Sequence, residues 1–210
     1  MTNSPLCAII FSGKFEGNGH TIDNFVIEKA GETAFFARVT ESGCVSDLTF
    51  GPGCSFTAKA SAASLNNNTY AASLAAFETG NATFRNIVNK GSVKVSSAAT
   101  GGKGADFIGG ICGYFNSKGN FDDCKNYGEI ANEAAVTGWT CIGGVVGCIA
   151  VNDAATVLNR NINAADLKNT VDLTYSLSIG GVVGRVNLNT SLSMSGCESS
   201  GNLTNTSNAT

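Results

Sequence analysis

Asp122 and Asp123 stand side by side, with Lys125 and Glu129 close behind. Carboxylates held about 5 to 9 Å apart can serve as acid and base, or acid and nucleophile, on a glycosidic bond. A polygalacturonase-like site would add a further Asp, a histidine in a GHG setting and an RxK pair, and none of these is present. Consecutive strand residues face opposite sides, so at most one of the two aspartates can enter a given groove unless a bulge intervenes. A solvated turn is therefore the expected role of this cluster. A lyase would need Arg or Lys as base beside acidic calcium ligands. The four arginines, Arg38, Arg85, Arg160 and Arg185, are expected at different registers and form no cluster in the sequence.

Metal and thiol chemistry have comparably thin support. The segment GGKGADFIG, residues 101–109, matches the calcium nonapeptide of β-rolls, with Asp106 as carboxylate and Ile108 as apolar plug. Such sites lie between tandem turns, and this chain has a single copy, so a flexible Gly-rich turn before a core strand is expected. The sole histidine, His20, has no partner motif, and there is no CxxC pair. Eight cysteines could form a disulfide framework. Cys124 and Cys197, however, fall in one register two coils apart, about 9.6 Å at 4.8 Å per coil, beyond the roughly 7 Å reach of a bridge. Cys54 is expected at the register of Val93, Ile130 and Leu203, and Cys112 at that of Val146 and Val183. Packed, reduced thiols follow as the expected state, since buried free Cys behaves as a small hydrophobe.

The elements that must carry these residues are given by an internal repeat. IGGICG from Ile108, IGGVVG from Ile142 and IGGVVG from Ile179 open three similar segments, and their second glycines, Gly110, Gly144 and Gly181, are 34 and 37 residues apart. Two degenerate copies precede them, from Thr33 and from Ala71, with small residues in place of the glycines. A second landmark, Leu48, Ile87, Cys124, Ile162 and Cys197, recurs at spacings of 39, 37, 38 and 35. Three residues before each lies Val45, Phe84, Phe121, Asn159 or Met194. A third pairs Gly91 with Val93, Gly128 with Ile130 and Gly201 with Leu203, while Asp166 takes the glycine's place in the fourth copy.

Each repeat holds two or three short apolar or β-branched runs between Gly, Asn, Ser and Asp clusters, and no helical period is sustained. The expected fold is all-β: a right-handed parallel β-helix, or solenoid, of about five imperfect repeats of 34–39 residues. It is expected as a single domain over 1–210, with a partial coil in 1–32, repeats in 33–203 and a polar tail in 204–210, as part of a longer chain. Residues 58–70 are low in complexity and are expected to form a loop or irregular strand.

Composition excludes several function classes. Charged residues are only 14%, with 13 Lys plus Arg spread thinly and a net charge of -3. No basic patch for nucleic acid can be built from that. No apolar run approaches the roughly 20 residues of a membrane-spanning helix, so no membrane insertion by this segment is expected. Six Asn-x-Ser/Thr sequons, from Asn67, Asn81, Asn189, Asn202, Asn205 and Asn208, are what an Asn-, Ser- and Thr-rich chain gives by chance. Only Thr204 with Thr206 fits a TxT ice-binding ladder.

The segment at residues 11–27 contains FEGNGHTI, with Phe15, Ile22, Phe25 and Ile27 around the turn-forming Gly17, Asn18 and Gly19. Together with IGGICG and the two IGGVVG strands it resembles bacterial surface proteins carrying the GLUG motif, which are similar to right-handed parallel β-helices of the pectate-lyase-like type. The resemblance covers Phe11 to Leu203. It implies an extracellular or cell-surface location and no assigned activity. The expectation is a non-enzymatic module for adhesion, for recognition of a glycan or host-surface component, or for service as a rigid spacer. The alternatives are a polysaccharide-degrading lyase or hydrolase, and an element that associates end to end with itself. No catalytic, cofactor or metal-binding residues are assigned. A binding module would show a groove lined by aromatics such as Tyr114, Phe115, Tyr127 or Trp139.

Overall fold

The computed structural model describes residues 9–60, 68–97, 104–150, 155–173, 175–187 and 190–206. These residues form four parallel sheets wound into a β-solenoid. Sheet A contains Ile10–Phe11, Phe36–Glu41, Ala75–Gly80, Cys112–Phe115, Val146–Ile149 and Val183–Val186. Sheet B contains Lys14–Ile22, Cys44–Phe50 and Thr83–Asn89, followed by the split strands Gly119–Asp122 with Lys125–Asn126, Ala155–Asn159 with Ile162–Asn163, and Ser191–Ser195 with Glu198–Ser199. Sheet C contains Val26–Ala30, Ser55–Ala60, Ser92–Ser97, Ile130–Glu133, Leu167–Asn169 and Leu203–Asn205. Sheet D contains Glu32–Thr33, Thr69–Ala71, Asp106–Gly109, Trp139–Gly143 and Ser176–Gly180.

Each coil runs through D, A, B and C, so a strand always pairs with its counterpart one repeat away. Backbone donors and acceptors are thereby satisfied between coils, while like side chains stack. The described strands of the first coil begin with Ile10–Phe11 in sheet A. That coil's sheet B strand shifts register between Glu16 and His20, where Asn18 and Gly19 adopt positive φ. Residues 61–67 of the low-complexity segment lie outside the described residues; the segment enters from Ser55–Ala60 and leaves into Thr69–Ala71. The last strand, Leu203–Asn205, continues past the expected end of the repeats at Leu203.

The register confirms the glycine-framed landmark, with Ile108 against Ile142 and Ile142 against Ile179. It also confirms Cys112 beside Val146, and Val146 beside Val183. In the fourth copy the sequence alignment is one residue late. Lys125, not Cys124, pairs with Ile162, and Phe121 pairs with Leu158, not Asn159. The interior column is therefore Leu48, Ile87, Cys124, Asn161 and Cys197. Asn161 is fully buried, accepting from the Cys124 N–H at 3.0 Å and donating to the Phe121 carbonyl at 2.9 Å. A search for apolar ladders passes over a buried asparagine whose hydrogen bonds are met. The same shift puts Ala165, not Asp166, in the glycine position, against Gly201. Cys54 likewise stands beside Gly91, and it is Phe56 that shares the column of Val93, Ile130, Leu167 and Leu203.

The interior is filled by aromatics at one end and by aliphatics and asparagines further along. Phe84, Phe115 and Phe121 are fully buried, with Phe115 and Phe121 centroids 4.9 Å apart. Asn89, Asn126 and Asn163 form a buried ladder with amide-to-amide bonds of 2.8 and 2.9 Å. Asn132, Asn169 and Asn205 form another, with bonds of 2.8 and 2.9 Å. In both ladders the side chain also bonds the backbone two residues on, closing the turn into the next element. Gly110 and Gly144 face the first ladder. A Cβ on either would collide with Asn126 or Asn163 and with a carbonyl of the next coil.

Candidate functional site

Sheets D and A meet at a tight corner, and the angle between them opens outward. In sheet D the strand alternates inward Asp106, outward Phe107 and inward Ile108. Gly113, Gly147 and Gly184 let the sheet A backbone close on sheet D. A Cβ at Gly147 would lie 2.7 Å from the Ile108 nitrogen, and one at Gly184 2.6 Å from the Ile142 oxygen. The outcome is a groove along the solenoid with a column of side chains on each wall. The D wall carries Glu32, Tyr70, Phe107, Cys141 and Ser178. The A wall carries Arg38, Phe77, Tyr114, Cys148 and Arg185.

The walls match pair by pair. Glu32 accepts from Arg38 Nε at 2.9 and 3.0 Å. Tyr70 meets Phe77 edge to face at 5.1 Å, and Phe107 meets Tyr114 at 4.7 Å. Along the walls Tyr70 stacks on Phe107 at 5.4 Å and Phe77 on Tyr114 at 5.2 Å. Edge-to-face and offset contacts of this kind suit the ring quadrupole. The Arg38 guanidinium lies 5.5 Å from the Phe77 centroid, and that of Arg185 lies 4.0 Å from Trp139, both within cation–π range.

Tyr70, Phe77, Phe107, Tyr114 and Trp139 border a cavity of about 350 Å³, with Asn68 and Asn116 as its polar members. A second cavity of about 290 Å³ continues from it past Trp139 to Tyr175, which is 66% exposed. Asn68 ties the rim together, donating to the Tyr70 hydroxyl at 3.2 Å and accepting from the Ala105 N–H at 2.9 Å. Burial pushes the Tyr114 phenol up to about 12, and burial also raises Tyr70, so both remain neutral hydroxyls. The Glu32 carboxylate holds Arg38 above its ordinary range. The site thus offers aromatic faces with neutral polar groups, bounded by an Arg38–Glu32 ion pair on one side and Arg185 on the other.

Of the aromatics singled out from sequence, Tyr114 and Trp139 are in the groove. Phe115 is fully buried in the core, and Tyr127 is exposed on the turn after sheet B. The sequence reading missed Tyr70, Phe77 and Phe107. It also missed that Arg38 and Arg185 share one column, contrary to the expectation that all four arginines sit at different registers. A signal was present: seven residues separate Tyr70 from Phe77, Phe107 from Tyr114, Cys141 from Cys148 and Ser178 from Arg185, each pair flanking one corner.

The acidic candidates lie elsewhere. Asp123 adopts φ 55°. The bend lets Asp122 and Asp123 both lie on the outer surface, between inward Phe121 and Cys124. Each is ion-paired, Asp122 to Arg160 at 2.7 Å and Asp123 to Lys125 at 3.1 Å, and Glu129 pairs with Lys168. His20 is exposed at the end of the irregular stretch in the first coil. Asp106 of the calcium-like segment is fully buried between Thr69 and Thr140, and burial lifts its carboxyl to about 7; residues 101–103 lie outside the described residues. Among the described residues no group of three metal-ligating side chains occurs, and no helix is long and apolar enough to cross a membrane.

Fold and groove together define a parallel β-solenoid with an aromatic cleft on its outer wall. No protein-family model matches the chain, and no curated protein matches it. Among solved structures it is similar to one described as a "putative immunoglobulin A1 protease from Bacteroides ovatus", with a TM-score of 0.60 and 16% identity, over 93% of this chain and 64% of that one. At that identity the likeness shows a shared fold. The chain spans about two thirds of the length of that neighbour.

Proposed function

We propose that this chain is a non-catalytic recognition module of an extracellular or cell-surface protein, and that the groove between sheets D and A takes the sugar rings of a glycan. The observation that carries this reading is the continuous aromatic lining from Tyr70 to Trp139 with neutral amides and phenols beside it. Pyranose rings have apolar C–H faces that lie on aromatic rings, and hydroxyls that bond to amides and phenols. Concave, mostly apolar clefts with a few placed polar groups are the usual form of small-ligand sites, and solenoids supply the extended surface. The acidic residues at Asp122, Asp123 and Glu129 are paired with cations on another face, which leaves this groove without a carboxylate pair for hydrolysis among its lining residues. The resemblance to GLUG-bearing surface proteins supports the location.

A glycan array, followed by calorimetry on the best binder, tests the proposal. Trp139→Ala should weaken binding by about tenfold or more, since aromatic contacts of this kind contribute roughly 1 kcal/mol or more beyond their area. Tyr127→Ala, on a separate surface, should leave affinity unchanged. Equal affinity in Trp139→Ala and the parent chain, with circular dichroism showing both folded, would remove the groove from the binding site. Release of reducing ends or unsaturated products from any bound glycan would replace the module with an enzyme.

A further inference from the structure

We propose that Cys141 and Cys148, both buried in the finished fold, close during folding to an intramolecular disulfide across the groove, tying sheet D to sheet A within one coil. The inference does not depend on the ligand assigned above. Cys141 pairs in register with Phe107, and Cys148 with Tyr114. The two thiols therefore occupy, one coil along, the positions of two rings whose centroids are 4.7 Å apart. Where the ring pairs fill the gap with aromatic atoms, this coil sets two thiols, buried in the same cluster as those rings.

The corner makes so close an approach feasible. Gly143 and Gly147 lie between the two thiols in the chain: a Cβ at Gly143 would lie 1.9 Å from the Val146 carbonyl oxygen of the facing strand, and one at Gly147 2.7 Å from the Ile108 nitrogen of sheet D in the preceding coil, so sheets D and A touch at this corner. Strand backbones this near are what the 4.4–6.8 Å Cα separation of a disulfide requires. Cys124 and Cys197, by contrast, are separated by Asn161, which donates to the Cys197 sulfur at 3.9 Å. The neighbouring Cys148 thiol and the Arg185 guanidinium lower the Cys141 thiol from its ordinary value against the effect of burial, while Cys141 and burial raise Cys148. A thiolate beside a thiol is the arrangement from which disulfide exchange starts.

The reaction balances with a disulfide-class oxidant such as oxidised glutathione. The Cys141 thiolate attacks one sulfur of the oxidant and expels a thiolate; Cys148 then gives up its proton and attacks the mixed disulfide, expelling the second. One S–S bond forms and one breaks. The protein loses two hydrogens and the oxidant becomes two thiols.

Trypsin provides a direct readout, because no Lys or Arg lies between Lys125 and Arg160 and the peptide 126–160 contains only these two cysteines. The full chain is unfolded with reductant, refolded in a glutathione redox buffer, alkylated and digested. The expected peptide is two hydrogens lighter than the reduced form and carries no alkyl group in most molecules, whereas Cys112 and Cys124 are alkylated once the protein is denatured. Cys141→Ser should abolish the light peptide. Full alkylation of both cysteines in wild-type protein, stable glutathione adducts on either, or a link from either to another cysteine would overturn the proposal. If the variant does not fold, the wild-type mass alone decides.

Discussion

Raising the pH from about 5.5 to 9 should cost the solenoid several kcal/mol of unfolding free energy. The cause is two carboxyls in the interior. Glu78 occupies the inward column of Val39, Phe115 and Ile149, and it is fully buried. Its Oε2 accepts from Ser117 Oγ at 2.6 Å, while Oε1 has no partner among the described residues. Asp106 is equally buried, and both its oxygens are unpartnered among the described residues apart from a weak contribution from the Thr69 hydroxyl. Burial is the dominant effect on each, lifting Glu78 from 4.5 to about 8 and Asp106 from 3.8 to about 7.

Because both folded values lie above the unfolded ones, the folded chain holds more protons than the unfolded chain throughout the interval between them. Stability is complete below the unfolded values and is lost as pH rises through 7 and 8. At about 1.4 kcal/mol per unit, the part of this loss that falls above pH 5.5 is about 3.5 kcal/mol for Glu78 and about 2 kcal/mol for Asp106. The surface acids Asp47 and Asp166 shift the opposite way, held below 3.8 by hydrogen bonds to Asn86 and Asn202. Whatever they contribute is fully present above about pH 4 and is lost only as pH falls below it, so it does not vary across the test window. Urea denaturation at half-unit steps from pH 5.5 to 9 should show a steady fall for the wild type, and the fall should be smaller in Glu78→Gln and in Asp106→Asn. An equally steep fall in the double variant would mean that these carboxyls are not the titrating groups.

The second large effect is expected from a single methyl group. Gly144→Ala should destabilise the chain by about 3 kcal/mol or more, the upper part of the range for overpacking a core. A Cβ there would sit 2.0 Å from the Gly181 carbonyl oxygen and 2.4 Å from the Cβ of Asn163. One contact is backbone and the other is the stem of a ladder side chain. Relief therefore requires moving a whole coil and giving up the bond from Asn126 to Asn163. The same substitution at Gly19 meets nothing within 4 Å and carries only the cost of φ 74°, about 1 kcal/mol. Thermal unfolding of the two variants should separate them clearly. Equal melting temperatures would show that the coils at Gly144 can part without loss.

Glycine framing, and not overall hydrophobicity, made the fold legible. The IGGICG and IGGVVG strands recur because each coil must bend sharply at the D–A corner and leave room there for the next coil, and only glycine satisfies both. Apolar ladders were visible to the extent that their members are apolar. They failed at Asn161 and at the ladder of Asn89, Asn126 and Asn163, where the interior is polar and its hydrogen bonds are internal. A buried amide with every bond met is as good an occupant as an aliphatic, but it looks like a turn residue in a one-dimensional pattern. Cys54 was put in the place of Phe56 for a different reason: both are buried apolar side chains two residues apart.

The candidate site was legible only in fragments. Trp139 and Tyr114 stand out by type, yet Phe115 and Tyr127 are of the same type and lie in the core and on another face. The residues of the D–A corner are few and their periods are long, so Tyr70, Phe107 and Cys141 do not declare a shared wall until sheet pairing lines them up. Asp122 and Asp123, prominent in the sequence, turn out to be surface ion-pair members brought to the same side by one positive-φ residue.

By itself the sequence determined the solenoid, its repeat length, and the inward destiny of Cys112 and Cys124, because glycine framing and stacked apolar positions are local and periodic. Tertiary structure alone decided which way Asp106 and Glu78 face, which coil is out of step by one residue, and that Cys141 and Cys148 lie on facing walls of one corner. Those outcomes depend on the angle between two sheets and on registers accumulated over successive coils, quantities that no single repeat contains.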